Sequence, residues 1–199
     1  MNYLVTAIIS YLLGSINTAY IFGRLHGLDI REKGSRNAGA SNIKVNFGWA
    51  AGIFTGLCDM AKAIIAMRLC GYLFPGNELI PFLAGAMAIV GHIFPFYMDF
   101  RGGKGFASYL GMMVGIDYRF GLIIVALTIV LTFLTNYVAV ATAIILIIVP
   151  LYFIYIKADI AIIIILIAVS LLIACKHRIN FIRLKNHEEM GLREKKTVK

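Results

Sequence analysis

The sequence predicts an all-α integral membrane protein with seven transmembrane helices, a short fourth helix, an outer N-terminus and a cytoplasmic C-terminus. Composition predicts the class, because hydrophobic residues make up 60% of the 199 residues and the mean hydropathy is +0.85. Only 15% of the residues are charged, against about a quarter in soluble domains. Since no linker or internal repeat divides the chain, we expect one domain over residues 1–199.

Six apolar runs approach the roughly 20 residues that a helix needs to cross the hydrocarbon of a bilayer. They are Tyr3–Phe22, Trp49–Leu73, Leu79–Met98, Phe120–Asn136, Val138–Ile156 and Ile160–Cys175. A seventh run, Phe106–Ile116, is too short to span alone and is expected to be a partial or tilted helix. The first run lacks the charged start and cleavage site of a signal peptide, so we expect a retained helix.

Loop charges predict the orientation, because short loops rich in Lys and Arg stay in the cytoplasm. Residues 24–47 carry five such residues and the tail after Cys175 carries eight, whereas Pro75–Glu78 has none. An outer N-terminus and an inner C-terminus require an odd number of crossings, which makes Phe106–Ile116 the fourth of seven. The net charge of +9 then serves orientation and contact with anionic membrane lipids, and we expect no nucleic-acid partner.

Three polar segments interrupt the apolar pattern, and the loop charges place all three at the cytoplasmic face. The first polar segment is Gly34–Asn42, the glycine loop is Phe100–Gly105, and the C-terminal polar segment is Lys176–Asn180. In the first, glycines let main-chain N–H groups approach a ligand, a surface that suits phosphate. Its neutral hydrogen-bonding side chains are Ser35, Asn37, Ser41 and Asn42. An ordinary turn of the same composition is the alternative.

The glycine loop places Gly102 and Gly103 before Lys104 at the start of the fourth run. Backbone donors and the positive end of a helix can meet an anion there together with the Lys104 ammonium. The loop is not a Walker A motif, and a positive-inside anchor is the alternative. His177 and Asn180 are three residues apart on a helical exit and so face one direction, although ordinary helix capping also explains them.

The remaining polar residues have structural interpretations. Asp59 and Lys62 share one face of the second run, and an ion pair between them is preferred over a role in positioning the cytoplasmic loops. His92, just before Pro95, is expected to be a packing hydrogen bonder. The three cysteines lie in apolar runs without a paired motif, so neither a disulfide nor a metal site is expected.

The chain resembles a known family through six motifs, which occur in order along nearly its whole length. They are Tyr11-Leu-Leu-Gly-Ser-Ile16, Gly34-Ser-x-Asn-x-Gly-Ala-Ser-Asn42, Asp59-x-x-Lys62, Gly91-His-x-Phe-Pro95, Phe100-x-Gly-Gly-Lys-Gly105 and His177-Arg-x-Asn180. The pattern is similar to that of the PlsY family, the bacterial membrane glycerol-3-phosphate acyltransferases that use acyl phosphate.

The resemblance implies transfer of a fatty acyl group from acyl phosphate to glycerol 3-phosphate, releasing phosphate and lysophosphatidic acid, the first acylation of phospholipid synthesis. It implies seven helices in the bacterial cytoplasmic membrane, a site facing the cytoplasm, and no cofactor or metal. The partners would be the two substrates, membrane lipids and the enzyme that makes acyl phosphate. The expected catalytic residues are Ser35, Lys104, His177 and Asn180, and the expected substrate-binding residues are Asn37, Ser41, Asn42, Lys44, Gly102, Gly103 and Thr142.

The chain departs from the family pattern at two positions. Val45 stands where an arginine is common, and Ala139 stands where a serine is usual. Lys44, beside Val45, is the expected substitute cation, as a point charge rather than a bidentate fork.

A transporter of organic phosphate is the alternative function, although such a protein should place its site near the midplane on broken helices in related halves. A membrane scaffold would explain the basic tail but not the polar segments.

Overall fold

The computed structural model describes residues 1–193, and these residues contain α-helices and short 3-10 turns without any strand. The α-helices of this range are α1 (Asn2–Ser15), α2 (Thr18–Leu25), α3 (Ala40–Phe47), α4 (Trp49–Leu73), α5 (Leu79–Ile93), α6 (Phe106–Ile116), α7 (Tyr118–Thr135), α8 (Val138–Tyr155) and α9 (Ile160–Lys185). Within the described range, 6 segments are long and apolar enough to cross a membrane: Asn2–Leu25, α4, Leu79–Met98, α7, α8 and α9. The predicted all-α membrane class is confirmed.

The helices form two compact units, an N-terminal unit of Met1–Tyr118 and a C-terminal unit that starts at Arg119. In the N-terminal unit, α5 packs against α1, α4 and α6. Small residues allow these contacts: a Cβ on Gly14 would collide with the Ala88 carbonyl, and one on Gly111 with that of Met60. Helices inside a membrane associate through such close packing, because lipid offers no hydrophobic driving force between them.

The first apolar run is not one helix, contrary to the sequence prediction. It breaks after Ser15, and Asn17 caps a new helix by accepting a hydrogen bond from the Tyr20 amide at 2.9 Å. The carbonyls freed by the break are satisfied: Tyr97 Oη donates to Ser15 O at 2.8 Å, and Lys62 Nζ donates to Ile16 O at 2.8 Å. Broken backbone at membrane depth requires such partners, and these come from distant parts of the chain.

Three other boundaries refine the prediction. Helix α5 ends at Ile93 and a 3-10 turn follows at Phe96–Met98, as expected from Pro95. The last helix continues ten residues beyond Cys175, so the C-terminal polar segment is helical. The first polar segment is a loop only as far as Gly39, because Ala40 begins α3.

A small apolar core lies beneath the first polar segment and holds it against α2 and the turn after α5. Its fully buried members are Ala19, Ile30, Ala38, Ile43 and Met98. Arg31 adds a polar tie, since its guanidinium donates to the Asp29 carboxylate and to the Met98 carbonyl, both at 2.8 Å. The same guanidinium lowers the pKa of Asp29. The apolar core and the Arg31 hydrogen bonds therefore both hold the connection before α3 in place.

The C-terminal unit contains most of α7, together with α8 and α9, and α8 packs on α9. Phe120 stacks on Tyr152 with ring centroids 4.6 Å apart, which joins α7 to α8. After α9 the chain folds back to the turn between α7 and α8, where the Leu192 amide donates to Asn136 O at 2.7 Å.

Candidate active site

The first polar segment is organised around the side chain of Asn42, which is 1% exposed. Its Oδ1 accepts from the Ser35 amide at 3.0 Å, and its Nδ2 donates to the carbonyls of Ile30, Lys33 and Asn37 at 2.9, 3.0 and 3.0 Å. These bonds commit the amide to the loop itself. Asn42 thereby shapes the loop that presents its neighbours, and its predicted contact with substrate stays a prediction.

The neighbours differ in accessibility. Ser35 and Ser41 are exposed and Asn37 is half-buried. Ser41 lies in the first turn of α3, where the helix dipole favours negative charge, although the Asn42 and Ile43 amides already donate to Gly39 O. The segment thus presents two hydroxyls beside a helix start, an arrangement suited to an anion.

The glycine loop is tied to the C-terminus of α5. The Gly102 and Gly103 amides donate to the carbonyls of Ile93 and His92, each at 3.1 Å. Both amides thus cap α5, and the part of the glycine pair in substrate binding stays a prediction. Glycine is needed here for close approach, since a Cβ on Gly102 would collide with His92 O.

The two loops meet within the N-terminal unit. A Cβ on Gly103 would lie 2.7 Å from the Ala38 carbonyl of the first polar segment and would also collide with the His92 ring. Lys104, half-buried, follows at once, and Gly105 with a φ of 90° starts α6. The structure therefore brings Lys104 and the start of α6 to the edge of the segment that carries Ser35 and Ser41.

A buried charged cluster lies behind this junction. Lys62 Nζ is 3.0 Å from Asp59 Oδ1, which confirms the predicted ion pair. It also lies 2.8 Å from His92 Nδ1, so the histidine belongs to the same cluster. Asp59 is 1% exposed, Lys62 is 7% exposed and His92 is 3% exposed, so all three are buried.

Lys44 lies at the end of α3 and its ammonium sits 4.1 Å from the centroid of the Trp49 ring, a cation–π contact. Burial lowers the pKa of Lys44. Its stem crosses Gly52, where a Cβ would lie 2.6 Å from Lys44 Cβ. The structure thus places the expected substitute cation on an aromatic ring.

The C-terminal unit carries the other expected residues. His177 is buried, and its Nδ1 is 2.9 Å from Ile173 O, so the neutral ring donates from Nδ1 and carries its acceptor at Nε2. Asn180 donates to Glu189 Oε1 at 2.5 Å. Thr142 is fully buried and donates to Val138 O at 2.9 Å, so its hydroxyl proton is already used.

An apolar groove of about 440 Å³ also lies in the C-terminal unit, along α8 and α9. Its walls include Leu146, Pro150, Ala174 and Phe181. Phe181 stacks with the His177 ring at a centroid distance of 6.1 Å, so the groove reaches the neighbourhood of His177. Among the described residues no group of three or more His, Cys, Asp or Glu side chains is arranged to hold a metal ion.

Comparison with known proteins gives the family of this chain. The family model described as glycerol-3-phosphate acyltransferase matches residues 4–187. The chain belongs to this family. A glycerol-3-phosphate acyltransferase of Coxiella burnetii is 36% identical over 191 residues, covering 95% of this chain and 97% of that protein. One from Oceanobacillus iheyensis is 34% identical, with 96% of each chain covered.

Solved structures agree with the family assignment. The crystal structure of PlsY, an integral membrane glycerol 3-phosphate acyltransferase, in its glycerol 3-phosphate form has a TM-score of 0.89 at 27% identity and 96% coverage of both chains. The lysophosphatidic acid form of PlsY has a TM-score of 0.86 at 26% identity. The predicted membership of the PlsY family is confirmed.

Two features of the site escaped the sequence interpretation. Glu189 is the partner of Asn180, and nothing in a tail of mixed charges distinguishes it from Glu188. Asn42 is the organiser of a loop, and its type alone does not separate a ligand contact from a backbone contact. A signal did exist for the buried cluster, because Asp59, Lys62 and His92 are ionisable residues inside apolar runs.

We expect Gly103→Ala to impair the protein severely, because its methyl group would meet the His92 ring and the Ala38 carbonyl. Neither neighbour is a flexible side-chain end. Gly71→Ala is the matched control, since a Cβ there would contact only Pro81 at 3.9 Å. Purified variants should be compared in thermal unfolding and in turnover. Equal behaviour of the two variants would contradict the close approach of the two loops.

Proposed function

We propose that the chain transfers a fatty acyl group from acyl phosphate to glycerol 3-phosphate, yielding lysophosphatidic acid and inorganic phosphate. The observation that carries the proposal is the junction of the first polar segment and the glycine loop beside Lys104, in a member of the glycerol-3-phosphate acyltransferase family. Two helix starts and an ammonium group there suit phosphate groups. Acyl transfer to glycerol 3-phosphate follows from membership of the family. The use of acyl phosphate as the acyl donor is the additional proposal.

The reaction needs alignment more than activation, because acyl phosphate is a mixed anhydride. A glycerol hydroxyl oxygen attacks the acyl carbon, the bond from that carbon to the bridging oxygen breaks, and phosphate leaves with that oxygen. The departing phosphate takes the hydroxyl proton. Holding two anions close in one orientation supplies several kcal/mol of the barrier. Lys104 and the hydroxyls of Ser35 and Ser41 would offset their mutual repulsion and stabilise the leaving group.

His177 and Asn180 complete the catalytic set in this proposal. Since Nδ1 of His177 points at Ile173 O, the ring would present Nε2 toward a substrate hydroxyl and orient it. Asn180, held by Glu189, would donate its amide to a phosphate or glycerol oxygen. The residues that would support binding are Asn37, Asn42, Lys44, Gly102, Gly103 and Thr142. Asn42 and the glycines would do so through loop shape, and Thr142 through the packing of α8.

The apolar groove of the C-terminal unit is the proposed position of the acyl chain. Its walls are apolar, and Phe181 connects it with His177. Burial of a hydrocarbon chain along such a groove is favourable in proportion to the area removed from water. A hydrophobic donor and a polar acceptor would then approach His177 from different sides.

The experiment that tests the donor is direct. Purified protein is incubated with glycerol 3-phosphate and either a fatty acyl phosphate or the acyl-CoA of the same chain length. We expect lysophosphatidic acid and an equal amount of phosphate from the acyl phosphate. Product formed only from acyl-CoA would reject this donor.

Lys104→Ala should lower kcat/KM by at least ~100-fold, because loss of a charge-assisted contact in a poorly hydrated site costs about 3 kcal/mol. Lys157→Ala is a control of the same residue type, and it lies in the turn between α8 and α9. Both are assayed after a check of folding by thermal unfolding. Normal turnover of folded Lys104→Ala would contradict a contact between Lys104 and phosphate. Lys104 would then serve only membrane orientation, as a positive-inside residue.

In the membrane we propose a single polytopic domain over residues 1–199, with seven crossings in a bacterial cytoplasmic membrane. Helix α6 would be the short fourth crossing, with the N-terminus outside and the C-terminus and active site at the cytoplasm. The positive charge of the loops after α2 and α5 and of the tail supports this orientation. Membrane lipids and the enzyme that makes acyl phosphate would be its neighbours, and neither nucleic acid nor a cofactor is involved.

Cysteine labelling tests the orientation. In a background without native cysteines, Ser41→Cys should be protected from an impermeant reagent added outside intact cells, whereas Asn77→Cys should react. Ser41 is exposed and Asn77 is half-buried, so the two positions differ in accessibility. The labelling of each position after permeabilisation is therefore the reference for its labelling in intact cells. Labelling of Ser41→Cys from outside would reverse the proposed orientation.

A transporter of organic phosphate is the second candidate, and the broken first span favours it. Broken helices often bind substrate in transporters. Here the break is occupied by Lys62 and Tyr97, which supports a structural role for it. Uptake of labelled glycerol 3-phosphate into proteoliposomes, without acyl donor, would favour the transporter.

A further inference from the structure

The ammonium group of Lys62, near the middle of α4, has three partners inside the N-terminal unit. It donates to Ile16 O at 2.8 Å, it lies 2.8 Å from His92 Nδ1, and it pairs with Asp59 Oδ1 at 3.0 Å. An ammonium has three hydrogens and no acceptor. Two hydrogen bonds and one ion pair therefore surround the ammonium and join the broken first span, α4 and α5.

These contacts determine the tautomer of His92. Because Lys62 can only donate, Nδ1 of His92 must accept, and the neutral ring then carries its proton on Nε2. Asp59 Oδ1 lies 3.4 Å from the same Nδ1 and has no aligned hydrogen bond. Asp59 is thus the acceptor to which Nδ1–H would turn if Lys62 stopped donating.

The other side of the His92 ring faces the glycine loop. Nε2 is the atom with which a Cβ on Gly103 would collide first, and the His92 carbonyl accepts the Gly103 amide at 3.1 Å. One residue thus contacts Gly103 through both its backbone and its ring. The ring cannot yield, because Lys62 holds its far edge inside a buried cluster.

The same break reaches the first polar segment. Next to Ile16, which Lys62 binds, Asn17 donates from Nδ2 to Ala38 O at 3.3 Å. Ala38 O is also the carbonyl beside Gly103. Contacts therefore connect both loops of the candidate site to the buried Lys62 ammonium. The glycine loop is connected through His92, and the first polar segment through Ile16 and Asn17.

We propose that Asp59, Lys62 and His92 form a buried positioning triad that sets the placement of the glycine loop, and with it Lys104, for substrate phosphate. The triad does not touch substrate. Lys62 fixes the ring of His92 as the Nε2–H tautomer, and that ring supports Gly103. The effect on substrate rests on the proposed acyltransferase function, whereas the effect on the loop does not.

Nitrogen NMR of 15N-histidine-labelled protein tests the tautomer. The His92 signals are assigned by their loss in His92→Ala. In the wild type and in Asp59→Asn, where Lys62 still donates, the proton should reside on Nε2. In Lys62→Met, Nδ1 should become protonated and turn to Asp59. A wild-type ring protonated on Nδ1 would overturn the triad, even if Lys62→Met fails to fold.

Hydrogen exchange and kinetics test the positioning. His92→Ala should accelerate exchange of the Gly102 and Gly103 amides and raise KM for glycerol 3-phosphate about tenfold or more, since small displacements at a binding loop are costly. Cys70→Ala is the control, because Cys70 is equally buried on α4 and contacts Ser10 instead. It should leave both quantities unchanged.

The two measurements separate the possible failures. Unchanged exchange in His92→Ala would overturn the triad, and faster exchange with an unchanged KM would confine it to maintaining the fold. If the wild type itself formed no lysophosphatidic acid, the proposed function would fail. Exchange and tautomer would then still decide whether the triad holds the loop.

Discussion

The Lys62 ammonium is the interaction on which the N-terminal unit depends. A charge inside apolar helices is costly unless it is paired and hydrogen-bonded, and removing one partner of a buried pair costs about 3–5 kcal/mol. Here the ammonium meets a carboxylate, an imidazole and a backbone carbonyl exposed by a helix break. The break needs a donor and the ammonium needs acceptors, so each compensates for the other. Their mutual satisfaction fixes α1, α4 and α5 in one arrangement.

The candidate site is built on that arrangement through close contacts of the glycine-loop backbone. Gly103 lies between the His92 ring and the Ala38 carbonyl, and Asn42 ties together the loop that contains Ala38. Side chains that would otherwise solvate a phosphate are thus occupied in holding loops. The groups proposed to meet an anion are the Lys104 ammonium, the hydroxyls of Ser35 and Ser41, and the starts of α3 and α6. Preorganised donors of this kind stabilise charge without reorganising during the reaction.

Helix positions were predictable because hydropathy and length determine them, and α4 and α6 begin and end at the predicted residues. The Asp59–Lys62 pair was predictable from its spacing on a helix. The break after Ser15 was not, since its partners, Lys62 and Tyr97, come from distant parts of the sequence. For the same reason Asn42 could not be separated from Asn37, because both are loop amides until the fold shows what each one contacts. The roles of Ser35, Lys104, His177 and Asn180 stay predictions.

The central proposal is that the first polar segment and the glycine loop act on one bound glycerol 3-phosphate, through Ser35 and Lys104. The most direct measurement is a double-mutant cycle on its Kd, using the wild type, Lys104→Ala, Ser35→Ala and the double variant. Residues that share a ligand are coupled, whereas independent sites add within about 0.5 kcal/mol. We predict that each single variant weakens binding and that the double variant binds clearly differently from the sum of the two effects. Additive losses, or a Kd that Ser35→Ala leaves unchanged, would contradict a shared site.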